Sequence, residues 1–168
     1  NTLAELASVL GRMSGLVSTQ QSRLLKLLKE LQASMQTQAM LASLQQELEI
    51  ARQMQLSILP RCTPPTRQVH IDALMLPAKE VGGDFYDYFL IDEDHLAVVV
   101  ADVSGKGVPA AFFMAISRTL LKSNAMHLSS VSQTISTLND QLCAENEQMM
   151  FVTVCYAVLE LSSGKLRY

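Results

Sequence analysis

Two aspartates carry the chemistry that this sequence most clearly advertises. Within EVGGDFYDYFLIDEDHLAVVVADVSGKGVPA (residues 80–110), Asp84 and Asp102 fall at the ends of two predicted strands, each beside a glycine-containing turn. Carboxylate oxygens suit hard divalent cations, and glycine lets backbone approach an ion closely. Two carboxylates held together repel, and each resists ionisation. A divalent cation between them removes that penalty and can acidify a water for attack on phosphorus. The pattern therefore points to metal-assisted hydrolysis.

Spacing alone leaves a second reading open, because Asp and Gly are also common as turn-formers at strand ends. Asp87, three residues after Asp84, falls on the opposite face of a regular strand and is given at most a supporting role. Other constellations fail. The Gly105–Lys106–Gly107 run places Val100 and Gly107 where a phosphate-binding loop needs glycine and Ser/Thr. His70, His95 and His127 share no metal-ligand spacing. Ser104 has no evident His partner for nucleophilic work, which leaves it the task of shaping its loop.

These residues must be positioned by a chain of 168 amino acids, enough for one ordinary domain or a small domain with an extension. Net charge is −3, and neither half carries the basic surplus of a nucleic-acid binder. Cys62, Cys143 and Cys155 form no C-x-x-C pair and read as reduced thiols of a cytoplasmic protein. No apolar run is long enough to cross a membrane, and no secretory signal is present. The first residue, Asn1, points to a piece of a longer chain.

Composition shifts near Pro60. All nine aromatic residues lie between Phe85 and Tyr168, and all five prolines lie at or after Pro60. Residues 1–59 are rich in strong helix formers. Leu3, Leu6, Leu10, Met13 and Val17 recur at spacings of three and four, and Leu24, Leu27, Leu31, Ser34, Gln38 and Leu41 continue the stripe. Leu44, Leu48, Ala51, Gln55 and Ile58 follow in a changed frame, like a stutter. A helix over 19–59 would run roughly 60 Å at 1.5 Å per residue. Such a stripe without aromatic anchors predicts a parallel coiled-coil homodimer. The other solution is a helical hairpin turning near Thr19 and Ser22.

Beyond the connector RCTPPTRQ, the pattern predicts a strand over 69–76 ended by Pro77, then a hairpin of strands 84–91 and 95–102 about an Asp92–Asp94 turn. The wholly apolar run 96–101 predicts a central strand covered on both faces. Pro109 suits the first turn of a helix reaching His127. A second helix spans 131–143, a strand 150–161, a turn 162–165, and a final strand opens at Leu166. The fold class is α+β, with helices packed on antiparallel sheet.

Three segments together resemble one family: E-x-A-R-Q-M-Q-x-S-I-L-P at 49–60, E-V-G-G-D-F-Y-D at 80–87 and A-D-V-S-G-K-G-V-P-A-A at 101–111. It is the bacterial SpoIIE-like branch of the metal-dependent, 2C-type serine/threonine protein phosphatases. The resemblance implies part of a β-sandwich flanked by helices, preceded by a coiled-coil helix, with two manganese or magnesium ions at one edge. By motif position Asp102 would be the bridging ligand, the Val103 carbonyl a further ligand, and Asp84 would hold the other side, directly or through water. The implied substrate is phosphoserine or phosphothreonine on a partner protein, such as an anti-sigma-factor antagonist, hydrolysed by activated water without a phosphoenzyme.

The resemblance also implies further metal-binding aspartates, one in a T-D-G-like motif; Asp140, Glu145, Glu147 and Glu160 match none of them. Residues 60–168 are thus expected to be the N-terminal part of the catalytic domain, weakly active or inactive alone. Residues 1–18 resemble the last helix of a HAMP signalling module, which implies an upstream membrane anchor, with 19–59 as the linker helix. That helix is expected to control the site through the element after Pro109. The rival reading is a non-catalytic dimeric scaffold whose phosphatase-like half binds a partner.

Overall fold

The computed structural model describes residues 2–60, 68–76, 81–127, 130–144 and 146–168, with the side chain of Ala7 left aside. Cys62, Pro77, Glu80, Glu145 and connector residues 61–67 lie outside the described residues. The elements are helix α1 (Thr2–Ile58), strands β1 (Phe85–Leu90) and β2 (His95–Val103), helices α2 (Val108–His127) and α3 (Val131–Ala144), and strands β3 (Val152–Glu160) and β4 (Leu166–Arg167). The chain divides into two compact units, Asn1–Glu47 and Leu48–Tyr168.

The first unit is helix throughout its described length. It contains no proline, and the hydroxyls of Thr19, Ser22 and Thr37 bond back to the helix's own carbonyls. Thr19 Oγ1 donates to the Gly15 carbonyl at 2.8 Å, and Ser22 Oγ to that of Ser18 at 3.0 Å. The hairpin turn at Thr19 and Ser22 therefore does not form. Leu3, Leu10, Leu24 and Leu31 of the stripe are all exposed.

In the second unit one antiparallel sheet runs β1-β2-β3-β4. The β1–β2 hairpin is pinned at its turn. The Asp92 carboxylate accepts the Asp94 and His95 N–H groups at 2.8 Å each, and these donors with the His95 ring hold it below the ordinary carboxylate range. Asp94 in turn accepts the Ser162 N–H at 2.7 Å and the Ser162 hydroxyl at 2.6 Å, which ties the hairpin end to the β3–β4 turn. Pairing then runs from Leu90↔Leu96 to Phe85↔Ala101.

Alternation assigns the faces. Phe85 and Phe89 of β1 and Ala97, Val99, Ala101 and Val103 of β2 form the buried face. Against them α2 presents Ala110, Met114, Ser117, Leu121 and Ala125, a stripe at spacings of three and four. Fully burying a side chain such as Leu121 or Met114 contributes about 1.5–3 kcal/mol. Helix α3 adds Leu138 and Thr134, and Thr134 reaches the phenol of Tyr156 on β3. Leu59, just past α1, joins the same core.

Two expectations are corrected. Residues 69–76 form no strand: among the described residues β1 is bonded only to β2, and Leu74 and Leu76 stand 81% exposed. Strand β2 is central, yet it is not covered on both faces. Both helices lie on one side, and Val100 on the other is 59% exposed. An apolar run reports burial demand, and among the described residues that demand is met on one face only.

Candidate metal centre

The hairpin register brings the two aspartates together. One step beyond the Phe85↔Ala101 pair, Asp84 stands opposite Asp102. By strand alternation both point to the face away from the helices, and both are exposed. They line one open cleft of about 880 Å³ with Asp72, Tyr86, Val100 and Cys155.

The two carboxylates interact. Hydrogen bonding with Asp102, then partial burial and the repulsion of the Asp102 charge, hold Asp84 above its ordinary carboxylate value of 3.8. A cation site left to itself behaves this way, because a proton does part of what a metal ion would do. The donor set therefore fits a hard divalent cation.

A backbone oxygen lies on the same side of the strand pair. Ser104 N–H donates to the Phe151 carbonyl at 2.8 Å, so Val103↔Val152 is a non-hydrogen-bonded pair. The Val103 carbonyl is thereby turned from β3 toward the β1 side. A Cβ added at Gly83 would lie 3.0 Å from that oxygen, 2.8 Å from the Val103 Cβ and 3.3 Å from the Ala110 Cβ. Gly83 is the residue that lets the Asp84 segment close onto the Asp102 segment.

The loop after Asp102 is equally tied. Gly105 (φ 91°) and Gly107 (φ 77°) turn the chain from β2 into α2 through conformations that favour glycine. Ser104 Oγ accepts the Phe151 N–H at 2.9 Å, so Ser104 shapes its loop. Thr153, opposite Asp102 on β3, donates its hydroxyl to the Asp102 carbonyl at 3.2 Å. Asn146 holds the approach to β3, donating to the Met150 carbonyl at 2.6 Å and accepting its N–H at 2.9 Å.

Asp87 is on the opposite face, 2% exposed. Arg118 Nη2 of α2 lies 2.8 Å from Asp87 Oδ2, close enough for an ion pair though poorly aligned for a hydrogen bond. Burial outweighs Arg118 and Lys122 and pushes Asp87 above 3.8. Asp87 thus locks the strand that carries Asp84 to α2 and takes no part in the cleft. The histidines have local partners: His70 with Asp72 at 3.0 Å, His95 with Asp92 at 2.8 Å and His127 with the Ser123 carbonyl at 2.8 Å.

Sequence reasoning missed Asp72, Thr153 and Gln55. It placed Gln55 in a helix–helix seam; instead that side chain is 5% exposed and bonded to Gly82. Its signal was a polar residue among Leu56 and Leu59, whose apolar side chains join the core. Among the described residues no group of three or more His, Cys, Asp or Glu side chains surrounds one point.

Mixed helices with an antiparallel sheet and this edge site define the fold of the 2C-type phosphatase domain. The SiaA-PP2C domain of Pseudomonas aeruginosa superposes with a TM-score of 0.53 at 22% identity, covering 70% of this chain and 48% of that one. Residues 92–168 match the family model Stage II sporulation protein E (SpoIIE). Protein IcfG of Synechocystis sp. is 34% identical over 149 residues, spanning 73% of this chain and 24% of that protein. Phosphoserine phosphatase RsbU of Bacillus subtilis is 31% identical over 122 residues, spanning 73% of this chain and 36% of that protein. The chain therefore spans about a quarter to a third of the length of these curated relatives.

Proposed function

We propose that the protein containing this chain is a signal-regulated, metal-dependent protein serine/threonine phosphatase. The observation that carries the reading is Asp84 opposite Asp102 with both lining one open cleft. The similarity to a relative named as a phosphoserine phosphatase supports the same reaction class.

In this reading Asp84, Asp102 and the Val103 carbonyl hold manganese or magnesium. When bound, the cation supplies positive charge that makes water a competent nucleophile near neutral pH and offsets charge developing on phosphorus. Gly83 sets the distance between the two carboxylate segments. The open cleft admits a phosphoserine or phosphothreonine carried on a partner regulatory protein, an anti-sigma-factor antagonist being the class expected from the family resemblance.

The organisation proposed for the chain keeps residues 1–18 as the end of a HAMP-like helix, 19–59 as a coiled-coil linker and 60–168 as catalytic-domain sequence acting in the cytoplasm. Exposure of the leucine stripe supports pairing with a second copy. No described helix is long and apolar enough to cross a membrane.

The test is manganese-dependent release of phosphate from a phosphoserine peptide by the complete protein. Asp102→Ala is expected to abolish it; activity that survives both this substitution and a chelator overturns the proposal.

A further inference from the structure

Helix α1 ends within the second unit, and its last turns do more than pack. Leu56 and Leu59 enter the core, and Gln55, next to Leu56 in sequence, has 5% of its surface exposed. Its side-chain amide donates through Nε2 to the Gly82 carbonyl and accepts the Gly82 N–H through Oε1 at 3.1 Å. One side chain thus satisfies both backbone polar groups of a residue 27 positions away, as a paired strand would.

Gly82 sits one residue before the tightest point of the site. Gly83 lies so close to Val103 and Ala110 that a Cβ there would meet them at 2.8 Å and 3.3 Å. Asp84 follows directly, and its carboxylate faces Asp102. The path from α1 to the carboxylate pair is therefore two peptide units long. It reaches the Asp84 side of the site, while the loop leading into α2 holds the Asp102 side.

We propose that Gln55 is a positioning residue for the metal centre: by clamping Gly82 it fixes where Gly83 packs against Val103, and so sets the separation of Asp84 from Asp102. This rests on the reading of those aspartates as metal ligands. It makes the rotational setting of the α1 C-terminal turns a determinant of metal affinity. A helix that turns Gln55 away frees the Asp84 segment and opens the site; one that seats it closes the site. The residue is a handle on the centre without touching metal or substrate.

Gln55→Met keeps length and helix propensity while leaving both Gly82 groups unpaired; Gln55→Glu keeps the acceptor but loses the donor. Both are made in the complete protein, with exposed Gln53→Ala as the control. Mn²⁺ affinity is read directly by electron paramagnetic resonance, and amide hydrogen exchange is followed at Gly82–Asp84 and across β2–β3. Gln55→Met is expected to weaken Mn²⁺ binding about tenfold or more, as for other residues that orient metal ligands. Exchange should rise at Gly82 and Asp84 while β2–β3 stays protected, with Gln55→Glu intermediate and Gln53→Ala unchanged. A wild-type protein that binds Mn²⁺, paired with a Gln55→Met protein within twofold of it, overturns the positioning role. Equal loss of protection throughout β2–β3 also overturns it, as general destabilisation. A wild-type protein that binds no Mn²⁺ overturns the metal reading itself, an outcome distinct from the other two.

Discussion

Asp84 stands opposite Asp102 one register step past the last β1–β2 pair, so the hairpin that joins them also sets their spacing. The turn that pins this register, Asp92–His95, lies at the far end of the ladder. Two like charges are held together by strand pairing rather than by mutual attraction. That arrangement stores a cost which a bound cation would relieve.

Neutralising one member should therefore stabilise the metal-free protein. Asp84 has its folded pKa raised above 3.8, so its contribution to stability is full below that value and is lost as pH rises through the raised pKa. At pH 7 Asp84→Asn should melt higher than wild type without metal, and the gap should shrink toward pH 4. The Mn²⁺-induced rise in melting temperature should disappear in the variant. Thermal melts at the two pH values, with and without Mn²⁺, check both halves.

Gly83→Ala places a methyl 2.8 Å from the Val103 Cβ. Neither backbone segment can yield without moving Asp84 or Asp102. Overpacking of this kind costs about 1–3 kcal/mol, and Mn²⁺ affinity should fall along with stability. Urea unfolding and Mn²⁺ titration of the same preparation measure the two effects.

Arg118→Met removes the close partner of buried Asp87. Breaking one side of such a pair costs about 3–5 kcal/mol. Asp87 already has a raised folded pKa, and losing a lowering influence raises it further. Stability of the variant relative to wild type should therefore be best near pH 4 and should fall as pH rises toward neutrality. Denaturant midpoints across that range test the sign.

Leu44 and Leu48 carry the proposed seam. Exposed Leu44 and half-buried Leu48 should matter to assembly more than to the fold of a single chain. Replacing both by Gln in the complete protein should shift sedimentation toward the monomer and change phosphatase activity, although Asp84 and Asp102 are themselves unaltered. Unchanged sedimentation and activity would count against the coiled coil.

Much of the site was legible because its geometry is local. A short acidic turn between two apolar runs specifies a hairpin, and a hairpin with a pinned turn has one register. From that register alone Asp84 faces Asp102 and Asp87 faces away. The helices at 108–127 and 131–144 were equally legible, since Pro109 and a three-to-four apolar spacing mark them along the chain.

What lay out of reach was whatever needed a partner far along the chain. Residues 69–76 carry a strand-like pattern, but a strand exists only against a ladder, and among the described residues none pairs with them. The apolar run of β2 could not say that one face would stay open at Val100. Gln55 reads as a seam position by period, yet its amide is used 27 residues later on Gly82. The carboxylate pair can be read along the chain, because strand pairing through a short turn is a local constraint. What holds that pair in place cannot, because the clamp is a side chain of one element on the backbone of another, and packing alone brings the two together.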